Sequence, residues 1–201
     1  MENGFPKTRS IVFATNDERA LNKIRSIITP PWQVLSLADV ALPEPLEQGR
    51  TQRENTLTAA AVVSSYSNLP AVAVARSFTL DPLFCYSRDR ELTNVRDYPT
   101  WSWRLPPRER PEDLIRGVNA AHETLCEHGY CGPDDRGAYF LTTLCFMMPE
   151  GDPHFIEQWC EGQFKVSELQ ISEDPTTPAG IDFAKYFVPS GHTETLKRVC
   201  L

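Results

Sequence analysis

No stretch of this chain approaches the roughly 20 consecutive apolar residues that a membrane-spanning helix needs, so no membrane partner is expected. It also lacks clustered basic charge. The 27 acidic residues outnumber the 20 basic ones, giving a net charge of −7. Binding to a nucleic-acid polymer depends on concentrated positive charge, so that class of partner is excluded as well. A small anionic ligand held by backbone amides remains open. The first ten residues, MENGFPKTRS, contain no apolar core of a secretory leader, and a cytoplasmic location is expected. The six cysteines then read as reduced thiols. No tight C-x2-C pair occurs, and Cys126 and Cys131 come nearest to one, so no zinc site is expected.

What the sequence does contain is an alternation of strand-like and helix-like segments. RSIVFAT (9–15) is a short apolar run ending in Thr-Asn, which reads as a buried strand delivering a loop. In 17–28, Leu21, Ile24, Ile27 and Ile28 share one helical face, and Pro30-Pro31 ends the helix. WQVLSLAD (32–39) reads as a second strand. A helix over 54–66 and an apolar central strand over 69–76 follow. The segment 78–111, rich in arginine and proline, is expected to be mostly loop. Residues 111–129 make a helix with proline at its start and glycine at its end. Two antiparallel strands, 137–149 and 154–169, are joined by PEGDP. The β-α-β opening favours an α/β fold whose ligand loop sits at the carboxyl end of the first strand.

Two places carry possible chemistry. Thr51 and Glu54, three apart ahead of a helix, form a capping-box pattern. The same helix start, with unsatisfied amides and a positive dipole end, suits an anion. Asn16 and Asp17 carry the same double reading, as helix cap or phosphate turn. Among the histidines, His122 and His128 fall on the long predicted helix and His154 follows a turn. His192, in PSGHTET, reads first as a loop residue, and otherwise as a histidine that could act as acid or base. Trp101 and Trp103 read either as an exposed stacking surface or as anchors of a long loop.

Taken in order, these blocks resemble the inosine triphosphate pyrophosphatase family, enzymes that cut non-standard purine nucleoside triphosphates to monophosphate and pyrophosphate. The residues that carry the likeness are Thr15-Asn16, then Glu44, Glu47, Gly49, Thr51, Glu54 and Asn55 in an E-x-x-E-x-G-x-T-x-x-E-N pattern. Leu69-Pro70, DPL (81–83), CYSR (85–88), AYF (138–140) and GIDFAKYFVPSGHTET (180–195) continue it in register. The resemblance implies one domain over 1–201, with a long mixed sheet, flanking helices and two lobes around a central cleft. It implies a homodimer, with the segment around Trp101 and Trp103 as a candidate interface. It places nucleotide contacts on Thr15, Asn16, Thr51, Asn55, Phe183, Lys185 and His192.

The departures fall on the chemistry. The family's phosphate-binding lysine in its first loop is Ala20 here, and a second lysine is Ala59. Its D-D-S-G, which carries metal and general-base carboxylates, aligns with Val74, Ala75, Arg76 and Ser77. The aspartate of its base-reading motif is Ala184, and its closing S-H-R has no counterpart before Leu201. Magnesium is then expected only if Glu47 and Glu54 still hold it, since hard cations need oxygen ligands. Residual catalytic roles would fall to Glu54 and Arg76, with Arg76 reading as a phosphate or carboxylate partner, as a surface arginine at a strand end, or as an ion pair with Glu54. The expectation is a protein that keeps a nucleotide- or phosphate-binding cleft and has lost triphosphate cleavage. The alternatives are a metal-dependent hydrolase with a rebuilt carboxylate set (Glu47, Glu54, Asp81) and a non-enzymatic partner-binding protein.

Overall fold

A computed structural model describes residues 9–46, 48–81, 101–105, 110–129, 132, 136–165 and 182–199. Its strands are β1 (Arg9–Phe13), β2 (Trp32–Leu35), β3 (Ala71–Leu80), β4 (Trp101–Leu105), β5 (Gly137–Met147), β6 (His154–Phe164) and β7 (Phe187–Pro189). Its helices are α1 (Glu18–Ile27), α2 (Gln52–Ser67), α3 (Pro111–Glu127) and α4 (Leu196–Val199). The strands form one seven-stranded mixed sheet in the order β2-β1-β3-β5-β6-β7, with β4 also paired to β3. β1 runs parallel to β2 and β3, whereas β4 is antiparallel to β3 and β7 to β6. The mixed sheet with flanking helices is as expected. The segment read as loop nevertheless contains β4, whose Trp101 to Leu105 pair with Leu80 to Arg76.

The chain divides into two compact units, Met1–Ala75 with Thr142–Glu157, and Arg76–Leu141 with Gln158–Leu201. In the first, β1 sends alternate side chains to opposite faces of the sheet, as strand geometry requires. Ile11 and Phe13 pack with Leu21, Val34 and Val72, joined by Ile24 and Ile28 of α1. Val12 packs instead with Leu37, Val63 and Ala71. A third cluster, Ala60, Ala73 and Cys145, lies against Ala14, Leu57 and Ala59. Burial pushes the Cys145 thiol above its ordinary range.

In the second unit the core is aromatic. Phe78, Phe164, Phe183 and Phe187 are all buried, and α3 contributes Leu114, Val118 and Ala121 at helical spacing. Trp101 and Trp103 pack against this core, and the Trp103 ring stacks 6.2 Å from Phe78. They anchor β4 and do not form a free stacking surface. Each fully buried phenylalanine contributes about 1.5–3 kcal/mol of transfer free energy.

Candidate functional site

The loop after β1 is held from two sides. Asp17 caps α1, with its Oδ1 accepting the Arg19 amide at 2.9 Å, while Thr15 Oγ1 accepts the Asp17 amide at 3.1 Å. Asn16 is not the cap. Its Oδ1 accepts the Ala38 amide at 2.9 Å, and the Thr15 carbonyl accepts the Leu37 amide at 3.3 Å. The loop is thereby tied to the short 3-10 turn, Ala38–Val40, that follows β2.

The start of α2 is closed on itself. Thr51 Oγ1 accepts the Glu54 amide at 3.1 Å, and Glu54 Oε2 accepts the amides of Arg50 (2.6 Å) and Thr51 (3.2 Å). This is the capping box read from the sequence. Asn55, only 4% exposed, does something the sequence reading did not foresee. Its Oδ1 accepts the Gly49 amide at 2.7 Å and its Nδ2 donates to the Gly49 carbonyl at 3.3 Å. A Cβ on Gly49 would lie 2.7 Å from Glu54 Cβ and 2.8 Å from Asn55 Oδ1, so only glycine permits this approach. Gly-x-Thr-x-x-Glu-Asn is therefore a self-locking loop. Beside it, Gln52 Oε1 accepts from the buried Thr143 hydroxyl at 3.1 Å. The Arg53 guanidinium lies 3.9 Å from the Phe155 ring centroid and 3.7 Å from Glu157 Oε1. Neither contact has a signal in the sequence, because each joins segments far apart in the chain.

Mid-way along β3 the burial breaks. Ala71–Ala73 and Ser77–Leu80 are buried, yet Val74 is 46% exposed, Ala75 half-buried and Arg76 exposed. β1 pairs with β3 at Ala71 and Val72, and β4 pairs with it from Arg76 onward. Continued two residues, the parallel register with β1 brings Thr15 level with Val74. Ala14, Leu57 and Ala59 meet around Ala73. The carboxyl end of β1, the first turns of α2 and Val74-Ala75 thus occupy one corner of the first unit. Thr15 and Asn16 follow the end of β1, and Thr51, Glu54 and Asn55 stand at the start of α2.

The donor set there does not suit a divalent cation. Glu54 Oε2 is committed to two backbone amides, and the side chains of Val74 and Ala75 carry no oxygen. Among the described residues no three His, Cys, Asp or Glu side chains converge as a metal site. Glu47 lies outside the described residues.

The other expected contacts belong to the second unit. Phe183 is a core residue, 2% exposed, its ring 4.6 Å from Phe78 and 6.1 Å from Trp103. The 3-10 turn Phe183–Lys185 tucks that ring inward, which residue spacing alone does not reveal. Lys185 is exposed, with its Nζ 5.8 Å from the Tyr186 ring centroid. His192, also exposed, borders a 290 Å³ hollow with Gly162, Val188 and Pro189. His122 lies on α3 with its ring 3.9 Å from Cys126 Sγ, and burial together with nearby Arg136 lowers its pKa.

No protein-family profile matches the chain. Among proteins of known name, it is 26% identical over 186 residues to a dITP/XTP pyrophosphatase of Bradyrhizobium sp., covering 92% of this chain and 78% of that protein. A dITP/XTP pyrophosphatase of Agrobacterium fabrum is 25% identical over 94% of this chain and 80% of its own length. Among solved structures, a HAM1 protein from Coxiella burnetii superposes with a TM-score of 0.62 at 17% identity, covering 94% of this chain and 85% of that one. The structure establishes the shared fold, and the sequence likeness runs along nearly the whole chain. In sequence along nearly its whole length, and in fold, the chain is similar to the dITP/XTP pyrophosphatases and HAM1 proteins.

Proposed function

We propose that the chain binds a nucleotide or another phosphorylated small molecule at a corner of the first unit formed by Thr15, the start of α2 and Val74-Ala75 of β3. On this reading it does not cleave nucleoside triphosphates. One observation carries the proposal: where the family resemblance places metal and general-base carboxylates, β3 presents the aliphatic Val74 and Ala75. Cleavage to pyrophosphate needs charge neutralisation and a positioned water, and losing one such group typically costs about 100-fold or more in rate. Recognition of an anion needs neither carboxylate. The amides of Gln52 and Arg53, which the capping box leaves unused, sit at the positive end of α2.

The test is a thermal-shift panel of inosine triphosphate, inosine monophosphate and pyrophosphate, with and without magnesium, run beside a pyrophosphate-release assay. Stabilisation that does not depend on magnesium, without release, is the expected result. Magnesium-dependent release abolished by Glu54→Gln would overturn it in favour of a hydrolase with a rebuilt carboxylate set. By the same resemblance we propose that the 22.7 kDa chain pairs with a second copy, which light scattering of the purified protein would check.

A further inference from the structure

β2 is the terminal strand of the sheet, and its free edge opens into a cavity of 370 Å³ whose walls include Arg25, Ile28, Trp32, Val34 and Asp39. In a parallel pair, the N–H and C=O of one residue point the same way and successive residues alternate between the two sides. The Pro31 carbonyl accepts from Arg9 and the Leu37 amide donates to Thr15, so odd-numbered residues of this stretch face β1. Trp32, Val34 and Ser36 therefore face outward.

Both ends of that edge are sealed. The Trp32 amide donates to the Thr29 carbonyl at 3.3 Å, and the Ser36 amide donates to Asp39 Oδ2 at 2.7 Å. Asp39 is fixed in this role. It also accepts from Ser36 Oγ at 2.8 Å and faces Arg25 at 3.7 Å, and these contacts hold its carboxyl below the usual carboxylate range. Among the described residues, the Trp32 carbonyl, the Val34 amide and the Val34 carbonyl stay open: acceptor, donor, acceptor. An added peptide strand needs a longer ladder than this, whereas one planar ring does not. Arg25 is balanced by Glu18 and Asp39, so the cavity selects for no anion. Its volume falls in the range of small-molecule sites, about 300–1,000 Å³. Ile28 and the Trp32 indole supply apolar and aromatic wall.

We propose that this notch binds a neutral amino-heterocycle of purine size. Its exocyclic amine would donate to the Trp32 carbonyl, and the adjacent ring nitrogen would accept from the Val34 amide. The site is separate from the phosphate corner and does not depend on the function proposed for it.

The experiment titrates the full ¹⁵N-labelled chain with adenine and, separately, with N6,N6-dimethyladenine, which keeps the ring and loses the donor. Saturable shifts centred on the Val34 amide and its neighbours Trp32 to Ser36 are expected for adenine, with the dimethyl analogue at least ten-fold weaker. Absence of saturable shifts with adenine at millimolar concentration would overturn the proposal. So would an equal response to both compounds, or shifts centred at the start of α2.

Discussion

The lead-in to α2 and the middle of β3 compare in opposite ways with the family pattern that the sequence resembles. In the lead-in, Gly49, Thr51, Glu54 and Asn55 all remain, and every one of them makes a contact that shapes the backbone. On β3, where the resemblance places an acidic pair, the chain has Val74, exposed, and Ala75, half-buried. On the proposed reading, the residues that shape the backbone match the family pattern and those that would act on a ligand do not. A motif match at low identity can therefore report scaffold alone, and the two kinds of residue separate only when their hydrogen bonds are counted.

That contrast can be broken by mutation. Gly49→Ala should have the largest effect, about 3 kcal/mol of lost stability, because the new Cβ meets Glu54 and Asn55 well inside contact distance. Asn55→Ala should cost about 2 kcal/mol by leaving the buried Gly49 amide and carbonyl without their partner. Thr51→Ala should cost about 1 kcal/mol through the cap alone. Urea midpoints would rank the three, and a Gly49→Ala protein as stable as the parent would refute the locked-loop account. On β3, Val74→Asp should change stability by less than about 0.5 kcal/mol, since that side chain is exposed. A large loss there would mean that the strand depends on its aliphatic side chains after all.

The smallest effect expected is one of pH, in the second unit. Burial, with Arg136 adding to it, lowers the His122 pKa, so the unfolded chain binds this proton more readily than the folded one. The contribution is fully present above about pH 6.5, the unperturbed value, and is lost as pH falls through the lowered folded value. His122→Gln should flatten the stability profile on the acid side of neutrality; an unchanged slope would remove His122 as its source.

Much of this architecture is legible from residue spacing. The helical stripe of α1, the capping box of α2 and the apolar run of β1 each announce their element without help. β4 does not, because its Trp-Ser-Trp-Arg-Leu alternation is short and sits among prolines and arginines. β3 also outruns its expected end at Arg76. Ser77 and Thr79 look like loop residues, yet both are buried, and the Thr79 hydroxyl is satisfied by Ser102 at 2.9 Å. β2 stops early at Leu35 because Asp39 turns back onto Ser36. At the site, the cap was readable, while the Asn55 lock and the inward turn of Phe183 were not. Both depend on where a side chain points once the chain has folded.

The sealed position of Cys145, between α2 and β3, has one more consequence. A thiol with no solvent access can meet an alkylating reagent only when the surrounding cluster parts, so its modification rate measures how often that happens. The first unit thus carries its own stopwatch for transient opening, readable by mass spectrometry without any introduced label.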